Sequence, residues 1–292
     1  GNFMYILFPG RHHLLTNFQF EYLNEIIKNG LKNHTDVNGK TTGIDEKIDA
    51  IVFAVTSANH ANTRRNPVPF YIRAIAIENF SSQLNIKSYV FGIDDVGYLD
   101  NFAEYTILKI KHDSEGKLDL SPQNTVVLCS TPVLEMYENM GFKILPAELD
   151  ERKNYSYKTA LPWDIVEDIA KTEFPGIKSG TLAKIHNSSL NIWTNYGIID
   201  KVKILFKDKV IGQDGDITET RDYNSYVRQM DEIAELKYKE TADFIKPGRI
   251  GDIGCAVGSW IKLACTDVRF SESDFYGIEV ARQLFAICLK RK

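Results

Sequence analysis

Strongly apolar runs alternate with helical patterns from Met4 to about Leu149, and this alternation constrains the fold more than any other feature of the chain. The runs are continuously apolar rather than alternating in polarity, which is typical of strands covered on both faces. The helical stretches between them begin at proline or end at glycine. The five predicted strands are "FMYILFP", "IDAIVFAVTSA", "IKSYVFGIDD", "NTVVLCSTP" and "KILPAEL". We therefore predict an α/β fold with a doubly wound parallel sheet.

The chain has 292 residues, enough for two domains. A stretch rich in glycine, proline and serine between residues 174 and 188 favours a boundary there. We predict one domain over residues 1–176 and a second over 177–292, the second beginning with mixed structure. A hairpin is expected at the Asp-Gly pair 214–215, followed by a long amphipathic helix.

Charge and cysteine content limit the classes of partner. The net charge of −4 gives no support to a nucleic-acid-binding or anionic-membrane surface, and no apolar run reaches the length of a membrane span. The four cysteines lie far apart without a C-x-x-C pair. We expect reduced thiols, a cytoplasmic protein and no protein-bound metal site.

The turn after the first strand, "PGRHHLLTNFQ", is the first candidate site, because ligands of such sheets bind beyond the carboxyl ends of the strands. Gly10 permits a tight turn and Arg11 suits a phosphate. Thr16 and Asn17 stand where a helix begins, and backbone N–H groups there favour anions. A plain strand-to-helix connection is the alternative.

Four stretches in this half of the chain carry a resemblance to a known family: Gly10-Arg11, Ser57-Ala58, Asn66-Pro67 and Arg73. Their order resembles the nucleotidyltransferase superfamily, in particular the archaeal-type nicotinamide-nucleotide adenylyltransferases. "NTVVLCSTPVLEMYENMGFKILP" looks like the family's fourth strand, helix and fifth strand. The resemblance spans roughly residues 4–170. It implies in-line attack of an acceptor phosphate on a nucleoside triphosphate, with Mg²⁺ neutralising the polyphosphate.

The chain departs from this family where charge matters most. Thr16 and Gln19 stand where the family has two histidines that bind the triphosphate, and a neutral amide cannot carry their positive charge. His12 and His13 lie nearby; one interpretation is that they compensate, the other that they are surface loop residues.

The family's second phosphate motif should fall near "RKNYSYKTALPWD". Ser156, Lys158 and Thr159 are present there without the expected arginine, and Lys158 supplies only a point charge. The resemblance gives as candidate catalytic residues Arg11, Thr16, Gln19 and Lys158. It gives as candidate nucleotide-binding residues Gly10, Arg11, Ser57, Asn66, Arg73, Ser156 and Thr159.

The second candidate site is "GRIGDIGCAVGSW", a predicted strand, glycine turn and helix. Gly254 and Gly258 permit positive φ and a close approach of ligand to the backbone. Glu279 ends the next predicted strand, 27 residues after Asp252, where a carboxylate can accept from both ribose hydroxyls. A strand, turn and helix without a ligand is one alternative. An NAD-dependent oxidoreductase is another, which the glycine spacing disfavours.

This pattern resembles the first motif of class I S-adenosylmethionine-dependent methyltransferases, D-x-G-x-G-x-G, over about residues 190–292. The resemblance implies that Asp252, Gly254, Ala256 and Gly258 line the cofactor, with Ala256 in place of the middle glycine, and that Glu279 holds the ribose. Tyr226 and Arg228 are expected to cover it. Only about two of the family's seven strands are present, so we expect an incomplete Rossmann-like domain and weak cofactor binding. Its open sheet edge should be covered by the other domain, by a second copy or other partner chain, or by a missing C-terminal part.

Together the resemblances predict a bifunctional protein. Its first domain transfers an adenylyl or cytidylyl group from a nucleoside triphosphate to a small phosphorylated acceptor. Its second domain is an appended methyltransferase that uses S-adenosylmethionine and is incomplete in this chain. The alternative is a catalytically degenerate nucleotide-binding or scaffold domain attached to a methyltransferase.

Overall fold

A parallel five-stranded sheet forms the centre of the first half of the chain. The computed structural model describes residues 2–97, 99–208 and 223–279, together with Leu284 and Cys288. The strands of the sheet are β1 (Tyr5–Gly10), β2 (Ala50–Thr56), β3 (Lys87–Ile93), β4 (Thr125–Leu128) and β5 (Lys143–Leu145). Their order is β3-β2-β1-β4-β5, and each neighbouring pair is parallel. The predicted α/β class with a parallel sheet is confirmed.

Helices cover both faces of this sheet. Those described up to residue 208 are α1 (Asn17–Asn29), α2 (Phe70–Gln83), α3 (Phe102–Asp113), α4 (Leu134–Asn139), α5 (Pro162–Lys171), α6 (Ser179–Leu182), α7 (Asn187–Asn195) and α8 (Ile198–Lys207). Side chains alternate between the faces of a strand. Ile6 and Phe53 therefore pack with α1 and α2, whereas Leu7 and Val52 pack with α3 and α4. Two buried faces explain why these strands are continuously apolar.

The predicted fifth strand is only partly right. β5 ends at Leu145, and the chain then turns through Pro146 and Ala147, whose φ is 40°. The following residues form a separate strand, β6 (Leu149–Glu151), which pairs antiparallel with β7 (Ser156–Tyr157). A proline lacks the N–H that a continuing ladder needs, which accounts for the break.

Helices α5, α7 and α8 form a third apolar cluster with the β1–α1 loop and α2. Leu14 and Ile72 pack there with Val166, Trp193 and Val202. The described chain divides into two compact units, one comprising Gly1–Asn62 and Asn66–Lys207, the other Thr63–Arg65 and Asp208–Lys292. The segment 177–207, which we assigned to the second domain, thus belongs to the first compact unit, because its apolar helix faces are buried there.

The second unit contains a two-stranded parallel sheet. Its elements are α9 (Tyr223–Thr241), β8 (Arg249–Ile253), α10 (Ser259–Cys265) and β9 (Asp274–Ile278). Ile250, Ala264 and Phe270 are buried between the sheet and helices, whereas Ile253 is 84% exposed. The predicted hairpin at 214–215 lies outside the described residues. Across the part of the chain described, no helix combines the length and apolar character needed to cross a bilayer.

Candidate functional site

A cavity of about 210 Å³ lies beyond the carboxyl ends of β1 and β4. The chain runs from β1 to β2 and β3, and only then crosses to β4 on the other side of β1. This is the switch in strand order where ligands of such sheets bind. Polar or aromatic residues on the wall include Arg11, His12, His13, Gln19, Cys129, Ser130, Thr131, Glu148 and Trp163. We call this cavity the β1–β4 crevice.

His12 stabilises the turn that forms one wall of the crevice. Its φ of 54° is left-handed, and its Nε2 donates to the carbonyl of Phe8 at 3.0 Å. Burial lowers the pKa of His12 to about 4, with the charge of Arg73 adding to the effect. A Cβ on Gly10 would lie 3.2 Å from the His12 ring. Gly10 therefore serves this turn by making room for a neutral imidazole.

His13 is also buried, so both histidines differ from surface loop residues. Its Nε2 is 3.1 Å from Asn66 Oδ1, and its Nδ1 has no hydrogen-bond partner. Burial and the charges of Arg73 and Arg11 hold the pKa of His13 well below its usual range. Trp193, from α7, donates to the His13 carbonyl at 2.9 Å. Neither histidine supplies a positive charge at neutral pH.

Arg11 provides a cationic group at the crevice. Its guanidinium lies 4.1 Å from the centroid of the Trp163 ring, in a cation–π arrangement. Trp163 belongs to the first turn of α5, and Leu161 and Pro162 at the same helix end also line the crevice. Arg11 is only partly buried. An arginine stacked on an aromatic ring near a helix N-terminus is an arrangement suited to a phosphate or a nucleobase.

Arg73 has a different environment from the one its place in the family pattern indicated. Its guanidinium is fully buried and donates to the carbonyls of Arg11, Thr56, Ser57 and His60 at 2.9 to 3.2 Å. Burial lowers its pKa to about 10. These contacts join the ends of β1 and β2. Arg73 and Ser57 are not on the crevice wall, and their contact with a nucleotide stays a prediction.

Thr16 and Gln19 form a capping box at the start of α1. Gln19 N donates to Thr16 Oγ1, and Thr16 N donates to Gln19 Oε1, both at 3.1 Å. Both residues are buried, and Gln19 also lines the crevice. The helix that the sequence predicted here begins as expected, but its two candidate catalytic side chains bind to each other's backbone.

The three candidate residues of the predicted second phosphate motif are not on the crevice wall, although Leu161, Pro162 and Trp163 at the end of the same stretch are. Ser156 and Lys158 are exposed and Thr159 is partly buried, around β7 and the connection to α5. Lys158 N donates to the carbonyl of Glu148 at 3.0 Å, which ties this segment to the crevice through its backbone. The catalytic role of Lys158 and the nucleotide contacts of Ser156 and Thr159 stay predictions.

Glu148 is a crevice residue that sequence reasoning missed. It is 3% exposed, and its Oε2 contacts Ser130 Oγ. The backbone N of Glu148 also donates to Ser130 Oγ, at 3.1 Å. The signal was present: "KILPAEL" places an acid inside an otherwise apolar segment. We interpreted that segment as a plain strand, and so the acid received no role.

The second candidate site forms a cavity of about 160 Å³ in the second unit. Its wall includes Asp252, Gly254 and Ala256 from the predicted cofactor turn, together with Lys237 from α9 and Trp260 from α10. Burial raises the pKa of Asp252, and the charge of Glu279 raises it further. Three of the five predicted cofactor residues thus share one cavity.

The remaining two predicted residues shape this turn. Gly258 has φ 76° at the start of α10, and a Cβ there would overlap Cys288 Sγ at 2.6 Å. Glu279 Oε2 accepts from Ala256 N at 2.7 Å, so the carboxylate lies against the glycine turn. Ala256, in place of the family's glycine, has a φ of 50°. Arg228 is exposed, and the side chain of Tyr226 lies outside those described.

Within the described ranges, no group of three or more histidine, cysteine, aspartate or glutamate side chains is placed to hold a metal ion.

Comparisons with known proteins give limited similarity. No protein-family model and no curated protein sequence matches the chain. Among solved structures, it is similar to a bifunctional NMN adenylyltransferase/ADP ribose pyrophosphatase from Francisella tularensis, complexed with AMP and a Mn ion. The identity is 12% and the TM-score 0.45, over 86% of this chain and 60% of that one. This chain thus spans less than two thirds of that protein, and a likeness at this level assigns no activity.

Proposed function

We propose that the first unit binds a nucleotide at the β1–β4 crevice and transfers its nucleotidyl group to a small phosphorylated acceptor. The observation that carries the proposal is Arg11, stacked on Trp163 beside the N-terminus of α5 at the switch in strand order. The position is where such sheets bind nucleotides, and the chemistry suits an anion next to a planar group. The family pattern around Gly10, Asn66 and Arg73 points to the same reaction.

In this reaction an acceptor phosphate oxygen attacks the α-phosphorus, a new P–O bond forms, and pyrophosphate leaves with the electron pair of the broken bond. Mg²⁺, held by the triphosphate oxygens, would supply charge neutralisation for the leaving pyrophosphate. Arg11 would orient the phosphates by charge and hydrogen bonds, and Lys158 is the second candidate cation. Positioning and electrostatics supply the catalysis, because the step needs no covalent protein intermediate.

A second candidate function is a nucleotide-binding or scaffold domain without catalysis. The observation in its favour is the capping box, in which Thr16 and Gln19 serve the start of α1. Arg73 likewise donates to four carbonyls inside the protein. The crevice therefore has fewer cations available for the transition state than the family pattern supplies.

The test combines thermal shift with turnover. With Mg²⁺ and ATP or CTP near a hundred times Kd, binding to the folded state should raise the Tm of the first unit by about 5–10 °C. Arg11→Ala should abolish the shift. The control Arg152→Ala, which removes an arginine paired with Glu138, should retain it.

Pyrophosphate release that requires both a triphosphate and a phosphorylated acceptor supports transfer. Binding without release across a panel of phosphorylated acceptors supports the non-catalytic candidate. No shift with either triphosphate at millimolar concentration contradicts both.

For the second unit we propose an S-adenosylmethionine site of the methyltransferase type. It is supported by the shared cavity of Asp252, Gly254 and Ala256 and by the contact of Glu279 with the turn. The cofactor would supply a methyl group. In this chain Asp252 and the turn backbone would bind its amino-acid part and Glu279 its ribose. Titration calorimetry should detect binding of S-adenosylmethionine and no heat with NAD. The substitution Glu279→Gln should weaken the binding of S-adenosylmethionine. Binding of NAD alone would contradict the proposal.

We also propose a cytoplasmic location. The support is that Cys129, Cys255, Cys265 and Cys288 are all free thiols, which fits a reducing compartment.

A further inference from the structure

The cavity of the second unit has an acid and a base on its wall. Asp252 from β8 and Lys237 from α9 both line it. Asp252 is partly buried and Lys237 is exposed, so both side chains are accessible to a ligand. In the part of the chain that the structure describes, neither forms an ion pair. Two opposite charges that do not neutralise each other suit a ligand that carries both signs of charge.

The two charged groups also influence each other. Burial raises the pKa of Asp252, the charge of Glu279 raises it further, and the charge of Lys237 opposes both. The lysine ammonium is therefore close enough to the Asp252 carboxylate to interact with it, but farther away than the 4.0 Å of an ion pair. This spacing leaves room for a small ligand group between or beside them.

The position of Glu279 limits which part of a cofactor this cavity holds. Glu279 Oε2 accepts from Ala256 N at 2.7 Å, yet Ala256 is on the cavity wall and Glu279 is not. The cavity therefore lies beside the expected ribose position and not at it. Its volume of about 160 Å³ is below the ~300–1,000 Å³ typical of whole-ligand pockets. It therefore takes one end of a cofactor such as S-adenosylmethionine.

Charge distinguishes the two ends of that cofactor. Adenine is uncharged at neutral pH, whereas the amino-acid end carries an ammonium and a carboxylate on one carbon. An aspartate accepts hydrogen bonds from an ammonium, and a lysine donates them to a carboxylate. Ile233 and Ala234 give the same wall apolar surface that suits the connecting methylene groups. The wall thus fits the amino-acid end better than the adenine.

We propose that Lys237 is a specificity-determining residue of the second site and binds the carboxylate of the cofactor's amino-acid end, while Asp252 binds its ammonium. The inference deepens the proposed S-adenosylmethionine site and rests on it. A ligand that lacks the carboxylate would lose one charge-assisted contact. It would also bring its ammonium near that of Lys237 without a negative charge between them.

A matched pair of ligands tests this by titration calorimetry on the full chain. S-adenosylmethionine is compared with decarboxylated S-adenosylmethionine, which differs only in lacking the carboxylate. We expect S-adenosylmethionine to bind about tenfold more tightly, the low end for a hydrogen bond to a charged group, because Lys237 is exposed. Lys237→Met should remove this preference and keep α9 folded, since methionine is a good helix former. Lys237→Arg should keep part of the preference.

Two further variants serve as comparisons. Lys239→Met removes an exposed lysine of α9 that is not on the cavity wall and should keep the preference. Asp252→Asn should weaken the binding of both ligands by a similar factor, because both retain the ammonium.

The outcomes separate the inference from the proposed function. Equal binding of the two ligands by the original protein overturns carboxylate recognition and leaves the cofactor site standing. A preference that survives in K237M overturns the role of Lys237. Absence of binding of both ligands up to millimolar concentration overturns the cofactor site and the inference together. If circular dichroism shows that K237M is unfolded, Lys237→Gln replaces it, and an unchanged preference there counts equally against the proposal.

Discussion

The surroundings of Arg73 differ from the nucleotide contact that the sequence pattern predicted for it, and they differ more than those of the other predicted site residues. The pattern assigned it to a nucleotide, and the fold surrounds its guanidinium with carbonyls at the ends of β1 and β2. A buried cation is stabilised by hydrogen bonds from its donors. The two terminal nitrogens of Arg73 have four carbonyl acceptors, whereas its Nε has no hydrogen-bond partner. Arg73 therefore holds together the ends of β1 and β2, next to Arg11.

Replacing Arg73 with methionine should therefore lower the free energy of unfolding by about 3–5 kcal/mol, because several buried carbonyls lose their donor. Arg73→Lys keeps the charge but offers fewer donors and should recover part of the loss. Urea denaturation of the first unit measures both. The control Arg152→Met removes a partly exposed ion pair with Glu138 and should cost less than about 1 kcal/mol. If R73M lowered the free energy of unfolding by less than about 1 kcal/mol, this would contradict the structural role of Arg73.

At the scale of elements, the start of α1 shows how a local signal and a family pattern compete for the same residues. Thr16 three residues before Gln19 is a capping-box sequence, and the structure contains that box. The family pattern assigned the same two positions to triphosphate binding. The capping interaction needs only the local chain, so it forms whether or not a ligand is present.

Thr16→Val keeps the shape of the side chain and removes its oxygen. The backbone N–H of Gln19 then loses its acceptor in a buried position, and the free energy of unfolding should fall by about 1–2 kcal/mol. Chemical denaturation measures the change. The control Thr41→Val, at an exposed threonine, should stay within about 0.5 kcal/mol. Equal effects of the two substitutions on the free energy of unfolding would show that the capping interaction does not stabilise the fold.

At the scale of the whole molecule, segment 177–207 belongs to the first unit because it completes a core and fixes the first site. Ser189 Oγ accepts from Leu15 N at 2.7 Å, and His186 N donates to the Leu15 carbonyl at 3.0 Å. Trp193 contacts the His13 carbonyl. The loop that carries the crevice residues is thus held by a segment more than 160 residues later in the chain.

A fragment of residues 1–208 should consequently unfold cooperatively, whereas a fragment of residues 1–176 should not. The shorter fragment lacks Trp193 and Val202 and exposes the cluster around Val166. Urea unfolding followed by circular dichroism distinguishes them, with binding of a hydrophobic dye as a second readout. Equal stability of the two fragments would place the boundary at 176 after all.

The two buried histidines predict an acid-sensitive fold. The pKa of His12 is about 4 in the folded protein against about 6.5 when unfolded. Between these values the unfolded state binds more protons, so this contribution to stability is complete above about pH 6.5 and is lost as the pH falls towards 4. His12 should account for about 3 kcal/mol of that loss, and His13 acts in the same direction.

Urea midpoints at several pH values from 7 to 4 measure this dependence. His12→Asn removes the titrating ring and tolerates the left-handed φ, so its stability should depend less steeply on pH. The control His112→Asn, at an exposed histidine, should follow the original protein. An unchanged slope in H12N would refute the assignment.

The sequence alone determined the parallel α/β sheet, the start of α1 at Thr16 and the glycine turn at Gly254, because each depends on local periodicity, capping or backbone freedom. Only the tertiary structure decided that Arg73 donates to carbonyls at the ends of β1 and β2, that Glu148 lies in the crevice and that residues 177–207 complete the apolar core of the first unit. Those outcomes depend on burial and on partners far apart in the chain, and the energy of a charge or an apolar face is set by what surrounds it in space.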